Sequence, residues 1–180
     1  MPYDPPMPTL VPDPPEPSGD LSDPRALLDA YLDYYRATVL HKLTGLTEAQ
    51  LRTSRLPSGW SPLELLSHLA WVERRWFQWG FAAEPTGQPW GDRGPDGSWA
   101  VPAGESADRV RTRFAAECDR SRALTRDVPL SRRAGVGGRF RTPAEAPTLG
   151  WIMFHVLQEY ARHVGQLDVV RELIDGAAGD

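Results

Sequence analysis

The sequence predicts an all-α protein: a four-helix bundle with a proline-rich N-terminal arm and a long loop between the second and third long helices. Four stretches carry apolar residues at helical spacing, and each begins with a residue that can cap a helix. No stretch alternates apolar and polar residues as a strand would, and no segment repeats. We therefore divide the 180 residues into an arm, residues 1–21, and one bundle domain, residues 22–180.

Composition limits the class of partner. The net charge of -4 gives no electrostatic reason to expect nucleic acid. The single cysteine cannot form an intramolecular disulfide, so nothing points to an oxidising compartment. We find no apolar run long enough to span a membrane and no secretory signal pattern. These observations predict a cytoplasmic protein with neither nucleic acid nor membrane as partner.

The arm and the first helix are separated by a clear start signal. Prolines are so dense before residue 21 that neither helix nor sheet can form, which predicts an extended arm. Ser22-Asp23-Pro24 combines a capping residue with proline in the first turn. The helix stops near Gly45, and a capping box at Thr47–Gln50 predicts a short helical turn. The apolar stripe of the first helix is Leu27, Leu28, Tyr31, Leu32, Tyr35 and Val39.

The second long helix begins at Ser61-Pro62 and extends to about Phe81. His68 lies beside its apolar stripe, and Glu73 flanks the stripe on the other side. The stripe itself consists of Leu65, Leu69, Val72, Trp76 and Trp79. Residues 82–103 form a long loop, which we expect Trp90 and Trp99 to hold on the domain. Loops of this length are often lids or pocket walls.

The third helix, near Ser106 to Thr125, turns Val110 and Phe114 inward. Its outer face is a run of charges that we interpret as a solvated surface: Arg109, Arg111, Arg113, Glu117, Arg120 and Arg122. Residues 131–141 form a flexible basic connector that lacks the spacing of a phosphate-binding loop. Its Arg139 and Arg141 could meet an anionic group at the mouth of a pocket.

The last helix, about Thr148 to Ile174 and closed by Gly176, carries the main functional signal. His163 falls on its apolar stripe and Glu159 falls just beside that stripe, one turn earlier, so their side chains can converge. A carboxylate and an imidazole turned toward a core must be paired, hydrogen-bonded or bound to a metal. His155 lies further round the helix, and we assign it to the surroundings of the site or to the surface.

Of the remaining histidines, His68 borders the core, whereas His41 projects away from the stripe of the first helix as a surface residue. Two imidazoles and one carboxylate at a bundle interior have the composition of a metal site with open positions. Spacing alone is equally compatible with a Glu-His pair that is buried for structural reasons.

The combination of Gly59-Trp60-Ser61, His68-Leu69 and Glu159-x-x-x-His163-Val-Gly-Gln resembles the DinB-like superfamily, from about residue 22 to 175. Its members are four-helix bundles, commonly dimeric, that hold a divalent metal with a histidine of the second helix and an H-x-x-x-H pair of the last. Glu159 stands where most members have histidine, as in the mycothiol-dependent maleylpyruvate isomerase branch. The resemblance implies a homodimer and the metal ligands His68, Glu159 and His163.

The function implied by this resemblance is thiol-dependent S-transfer or isomerisation. The cofactor would be a divalent metal, zinc before nickel, manganese or iron, and the partners a small-molecule thiol such as mycothiol and an electrophilic substrate. Cys118 then need not be the nucleophile. Two alternatives remain: a metal-dependent hydrolase on the same site, with a base such as Glu73, and a non-enzymatic stress-associated dimeric binding protein.

Overall fold

A computed structural model describes residues 13–177. Over this range the chain is helical with no strand, so the all-α prediction is confirmed. We number the α-helices α1 to α5, and a π-helix, Arg74–Phe81, continues α3 directly. The α-helices are α1 Pro24–Lys42, α2 Glu48–Arg52, α3 Pro62–Glu73, α4 Ala107–Thr125 and α5 Leu149–Asp175.

Each helix begins where the sequence provides a cap. A side-chain oxygen accepts a backbone N–H of the first turn at every α-helical N-terminus, which satisfies a donor that the helix leaves unpaired. The capping residues are Asp23, Thr47, Ser61, Ser106 and Thr148. α5 ends at Gly176, whose φ of 74° lies in the left-handed region that glycine adopts without strain.

The core lies between two helix pairs, α1 with α5 and α3 with α4. Leucines of α1 and α3, Phe114 of α4 and Tyr160 of α5 are fully buried within it. Such a core is the expected result of four amphipathic faces meeting. Within residues 13–177, no helix is both long and apolar enough to cross a membrane.

The π-helix changes which side chains reach the core. Extrapolating an α-helical stripe predicted Trp76 and Trp79 inside, but both are only half-buried. Phe77 and Arg75 are buried instead, at 1% and 3% exposure. Hydrogen bonds between residues five apart close wider turns than those of an α-helix and so shift which side chains face the core. Beyond Glu73 the sequence-based stripe therefore holds only in part: Trp76 packs against the edge of the core, whereas Phe77 takes the place expected for Trp79.

Two predictions about the charged face and the connector are also wrong. Glu117 was expected on the solvated face of α4, but it is buried, because it accepts hydrogen bonds from Arg74 and Gln78 of the π-helix. The connector before α5 was expected to be flexible. Its backbone is instead bonded to the end of the π-helix, with the Gly135 N–H donating to the Phe81 carbonyl at 2.8 Å.

The arm is described from Asp13 onward, and residues 1–12 lie outside the described range. Residues 13–23 contain no helix or strand, as the prolines predict. Asp13 pairs with Lys42 at the end of α1 at 3.0 Å, and Lys42 also pairs with Asp168 of α5. These ion pairs join the arm to the first and last helices.

Candidate metal centre

The fold brings together the three residues that the sequence singled out. His68 of α3 meets Glu159 and His163 of α5, and one ligand atom from each lies within 4.8 Å of the other two. The Nε2 of His163 is 3.4 Å from Glu159 Oε2. His68 and His163 are buried at 7% and 5% exposure, while the Glu159 side chain retains 17%. One side of the cluster is therefore reachable from solvent.

His68 is oriented by a carboxylate from the long loop. Its Nδ1 is 2.8 Å from Asp92 Oδ2, and Asp92 is completely buried. Arg75 donates to both oxygens of Asp92, at 2.7 and 3.1 Å. Burial opposes ionisation of Asp92, but the hydrogen bonds from His68 and Arg75 outweigh it and lower the pKa of Asp92. The proton between His68 and Asp92 then belongs to Nδ1, which leaves Nε2 as a free electron-pair donor.

His163 is oriented in the same way by a neutral group. Its Nδ1 lies 2.8 Å from the amide oxygen of Gln166, one turn further along α5. An amide oxygen can only accept, so Nδ1 carries the proton and Nε2 faces Glu159.

Burial lowers the pKa of His68, against the hydrogen bond to Asp92, so its imidazole is neutral at neutral pH. Both histidines are thus held through Nδ1, which leaves Nε2 as the nitrogen available to a metal.

The long loop closes one wall of the cluster. The ring of Trp99 stacks on His68 with centroids 4.1 Å apart. It also meets the ring of His163 in a T-shaped arrangement, with centroids 5.4 Å apart. Gly91 allows the loop to lie against α3, because a Cβ there would come within 2.2 Å of the Trp71 ring. Asp92 follows immediately, so this close approach delivers the carboxylate to His68. The expectation that the loop is held on the domain is confirmed for Trp99, whereas Trp90 is exposed at 44% and lies under the guanidinium of Arg75.

The other predicted residues do not join the cluster. His155 is half-buried with its ring 4.2 Å from Trp76 and stacked on Trp151, as expected for the surroundings of the site. His41 is half-buried on α1 and is not among the converging residues. Glu73 was considered as a base, but both its oxygens are occupied: Arg36 donates to each, and the Tyr160 hydroxyl donates to Oε1 at 2.7 Å.

Cys118 is buried in the core at 2% exposure, beside Glu73 and Tyr160. Burial and the nearby carboxylate raise the pKa of its thiol far above the ordinary value, so almost no thiolate exists near neutral pH. We expect Cys118 to be unreactive toward a disulfide reagent at pH 8 in the folded protein and to react fully in denaturant. Rapid labelling of the native protein would contradict its burial.

Removing the charge that orients His68 should weaken metal binding without removing a ligand. For Asp92→Asn we expect metal affinity to fall by about 10- to 100-fold, because the neutral amide orients the imidazole less strongly and makes it less basic. The measurement is competition for zinc with a chromophoric chelator. Asp96→Asn is the matched control, because Asp96 is exposed in the same loop. Equal affinities of both variants and the native protein would contradict this role.

Three further residues belong to the centre and were not predicted from the sequence: Asp92, Arg75 and Gln166. Two of them carried a usable signal: Arg75 follows His68 by two helical turns and Gln166 follows His163 by one, which places each on the face of its partner. Asp92 carried none. It lies in an irregular loop, where no periodicity relates it to His68.

A helical bundle whose α3 and α5 contribute His, Glu and His to one partly open cluster is of the DinB-like class. The chain matches the family model Mycothiol-S-transferase over residues 27–176, and it belongs to that family. The match spans the helices that form the bundle and includes all three clustered residues. No curated protein matches the chain.

Proposed function

We propose that this protein is a metal-dependent S-transferase that joins a low-molecular-weight thiol, of the mycothiol type, to an electrophilic substrate. The single observation that carries the proposal is the convergence of His68, Glu159 and His163, with both imidazoles oriented through Nδ1. Membership of the Mycothiol-S-transferase family supports the thiol as partner. A cytoplasmic location and a homodimer are part of the proposal, and light scattering of the purified protein tests the dimer.

The chemistry of the donor set fits a divalent cation. Two neutral imidazoles and one carboxylate suit zinc, with nickel, manganese and iron as alternatives, and they leave positions for another ligand. Zinc ligands lie about 2.0–2.2 Å from the ion. Small side-chain shifts would therefore gather atoms that now lie within 4.8 Å of one another. Glu159 also offsets part of the positive charge that such an ion brings.

A bound divalent metal would lower the pKa of a coordinated thiol, so that the thiolate forms near neutral pH. The chain's own residues shape the space around that thiol. Trp99 covers the histidines and limits water on that side. The partial exposure of Glu159 leaves an approach for the thiol. Since Cys118 is buried and its pKa raised, the reacting sulfur must come from the small molecule.

Hydrolysis on the same site is less well supported, because the proposed base is engaged elsewhere. Glu73 is fully buried, and its oxygens accept from Arg36 and Tyr160. It cannot take a proton from water without losing those bonds. The non-enzymatic alternative predicts that substituting His163 changes only stability and that the native protein never turns over a substrate.

The test is elemental analysis of the purified native protein, combined with a reaction panel. We expect about one divalent ion per chain and metal-dependent transfer of a thiol to an electrophile, lost on chelation and restored by zinc or nickel. Ester and amide hydrolysis are measured beside it. A protein that contains no metal and binds none when offered zinc or nickel would rule out the proposal. Hydrolysis without thiol transfer would replace it with the hydrolase.

A further inference from the structure

The connector before α5 holds Arg139 at a fixed position. Its N–H donates to the Trp79 carbonyl oxygen at 3.0 Å. Gly138 is required beside it, because a Cβ at that residue would fall 2.1 Å from the same carbonyl oxygen. The backbone of the connector therefore packs directly on the π-helix, which fixes the position of the Arg139 Cα.

The Arg139 side chain lies across the aromatic surface of the π-helix. Its guanidinium carbon is 4.1 Å from the centroid of the Trp76 ring and 5.8 Å from that of Trp79. Its Cδ passes over Gly80, 3.7 Å from the place of a Cβ. These contacts hold the guanidinium against the two rings and favour its charge. They do not neutralise that charge.

Arg139 has no counter-charge in the part of the chain that the structure describes, where no carboxylate pairs with it and no acceptor bonds its guanidinium. The buried arginines Arg36 and Arg75 differ, because each is paired, with Glu73 and Asp92 respectively. Burial and the positive charge of Arg75 both lower the pKa of Arg139. A half-buried cation of this kind is stabilised by any anion that reaches it.

Arg139 is connected to the metal centre through two side chains of the π-helix, Trp76 and Arg75. Trp76, which lies under its guanidinium, also contacts the ring of His155 with centroids 4.2 Å apart, and His155 precedes Glu159 by four residues of α5, about 6 Å along the axis. On the other side, Arg75 lies near Arg139 and places its Nη2 3.4 Å from His68 Nδ1. One or two side chains therefore separate Arg139 from the residues of the cluster.

We propose that Arg139 binds a carboxylate of the electrophile that the thiol attacks, so that the substrates of this protein are small anionic electrophiles. The inference rests on the proposed function, since it assigns a substrate class to that reaction. The planar guanidinium offers paired N–H donors that match a carboxylate. Arg141, two residues further along the chain, is exposed to solvent and does not lie on the aromatic surface of the π-helix.

The experiment compares 4-chloro-3-nitrobenzoate with its neutral carboxamide, using mycothiol as the thiol in both. The thiolate sulfur forms a bond to the ring carbon that carries chlorine, chloride leaves with the electron pair, and the thiol proton passes to buffer. After correction for uncatalysed rates, we expect a kcat/KM preference for the carboxylate of roughly 10- to 100-fold in the native protein. Arg139→Gln should lose the preference but still convert the carboxamide, and Arg141→Gln should keep it.

Arg139→Lys is a second variant in case Arg139→Gln does not fold. It retains the charge but not the paired donors, so we expect its preference for the carboxylate to lie between those of the native protein and Arg139→Gln. The same preference in the native protein and Arg139→Gln would overturn the inference. A second arm pairs the carboxamide with N-acetylcysteine or its amide as the thiol. An Arg139-dependent preference for the charged thiol would overturn the assignment to the electrophile.

Calorimetry of 4-chloro-3-nitrobenzoate binding, without thiol, separates this inference from the proposed function. If the native protein binds this carboxylate and Arg139→Gln does not, the anion site is supported even when neither electrophile is turned over. Absence of turnover would then rule out the S-transferase proposal alone. Turnover of both electrophiles with no charge preference would leave the S-transferase intact and overturn the anion site. Absence of binding to the native protein would overturn it as well.

Discussion

Replacing Arg36 by methionine should lower the free energy of unfolding by about 3–5 kcal/mol, which is much of the stability of an ordinary domain. Arg36 donates to both oxygens of Glu73, at 2.9 and 3.0 Å, and Glu73 is fully buried. Without the guanidinium, an uncompensated carboxylate remains in the core, with Tyr160 as its main donor. Urea unfolding followed by circular dichroism measures the effect.

A surface arginine and a double variant make this prediction specific. Arg122 pairs with Asp33 and Asp119 on the surface, so Arg122→Met should cost no more than about 1 kcal/mol. Arg36→Met combined with Glu73→Gln should recover much of the loss, because it removes the unpaired charge. If Arg36→Met were no more destabilising than Arg122→Met, the pair would not be important for stability.

The same buried network bears on the metal centre. Glu73 joins α1, through Arg36, to α5, through Tyr160, and Tyr160 is the neighbour of Glu159. Three helices therefore meet at one carboxylate, next to the turn that carries Glu159. A network of this kind fixes the rotation of α5, which decides whether Glu159 and His163 point toward His68. The stability of the core and the geometry of the site are thus coupled.

Helical periodicity predicted which faces carry the residues of the cluster, whereas joining them into one set of ligands came from the resemblance to the DinB-like superfamily. His68 and His163 lie on or beside apolar stripes, and a bundle must turn those stripes inward. Periodicity failed at the π-helix: the α-helical count predicted Trp79 inside and gave no sign of Phe77. A π-helix has no reliable signature in the residues themselves, because it depends on what packs against the segment.

Residues that reach the site from loops could not be predicted. Asp92 is positioned by the close approach of Gly91 to Trp71 and by the bond from Arg75, and these are tertiary contacts. Arg139 was considered together with Arg141, since both lie in a basic segment. Only the fold distinguishes them, because it lays one across Trp76 and leaves the other in solvent.

Substituting either histidine of the cluster should have the largest effect on function. For His68→Ala and for His163→Ala, we expect the divalent metal to fall from about one ion per chain to a trace, and affinity to fall by more than about 100-fold. Each substitution would remove one of the three proposed protein ligands, and two ligands hold such ions weakly. Elemental analysis after gel filtration and zinc competition provide the two measurements. Metal-dependent thiol transfer should disappear with the metal.

His41→Ala is the control, because it removes an imidazole outside the cluster. Glu159→Gln extends the test, because the amide keeps the shape of the side chain but loses the negative charge that compensates the cation. We expect it to bind zinc more weakly than the native protein and more strongly than His163→Ala. Thermal unfolding distinguishes a lost ligand from a lost fold: a variant that folds as the native protein does but holds no metal identifies a ligand. Full metal content in His68→Ala would exclude His68 as a ligand, and full metal content in His163→Ala as well would leave Glu159 and His163 as a structural pair.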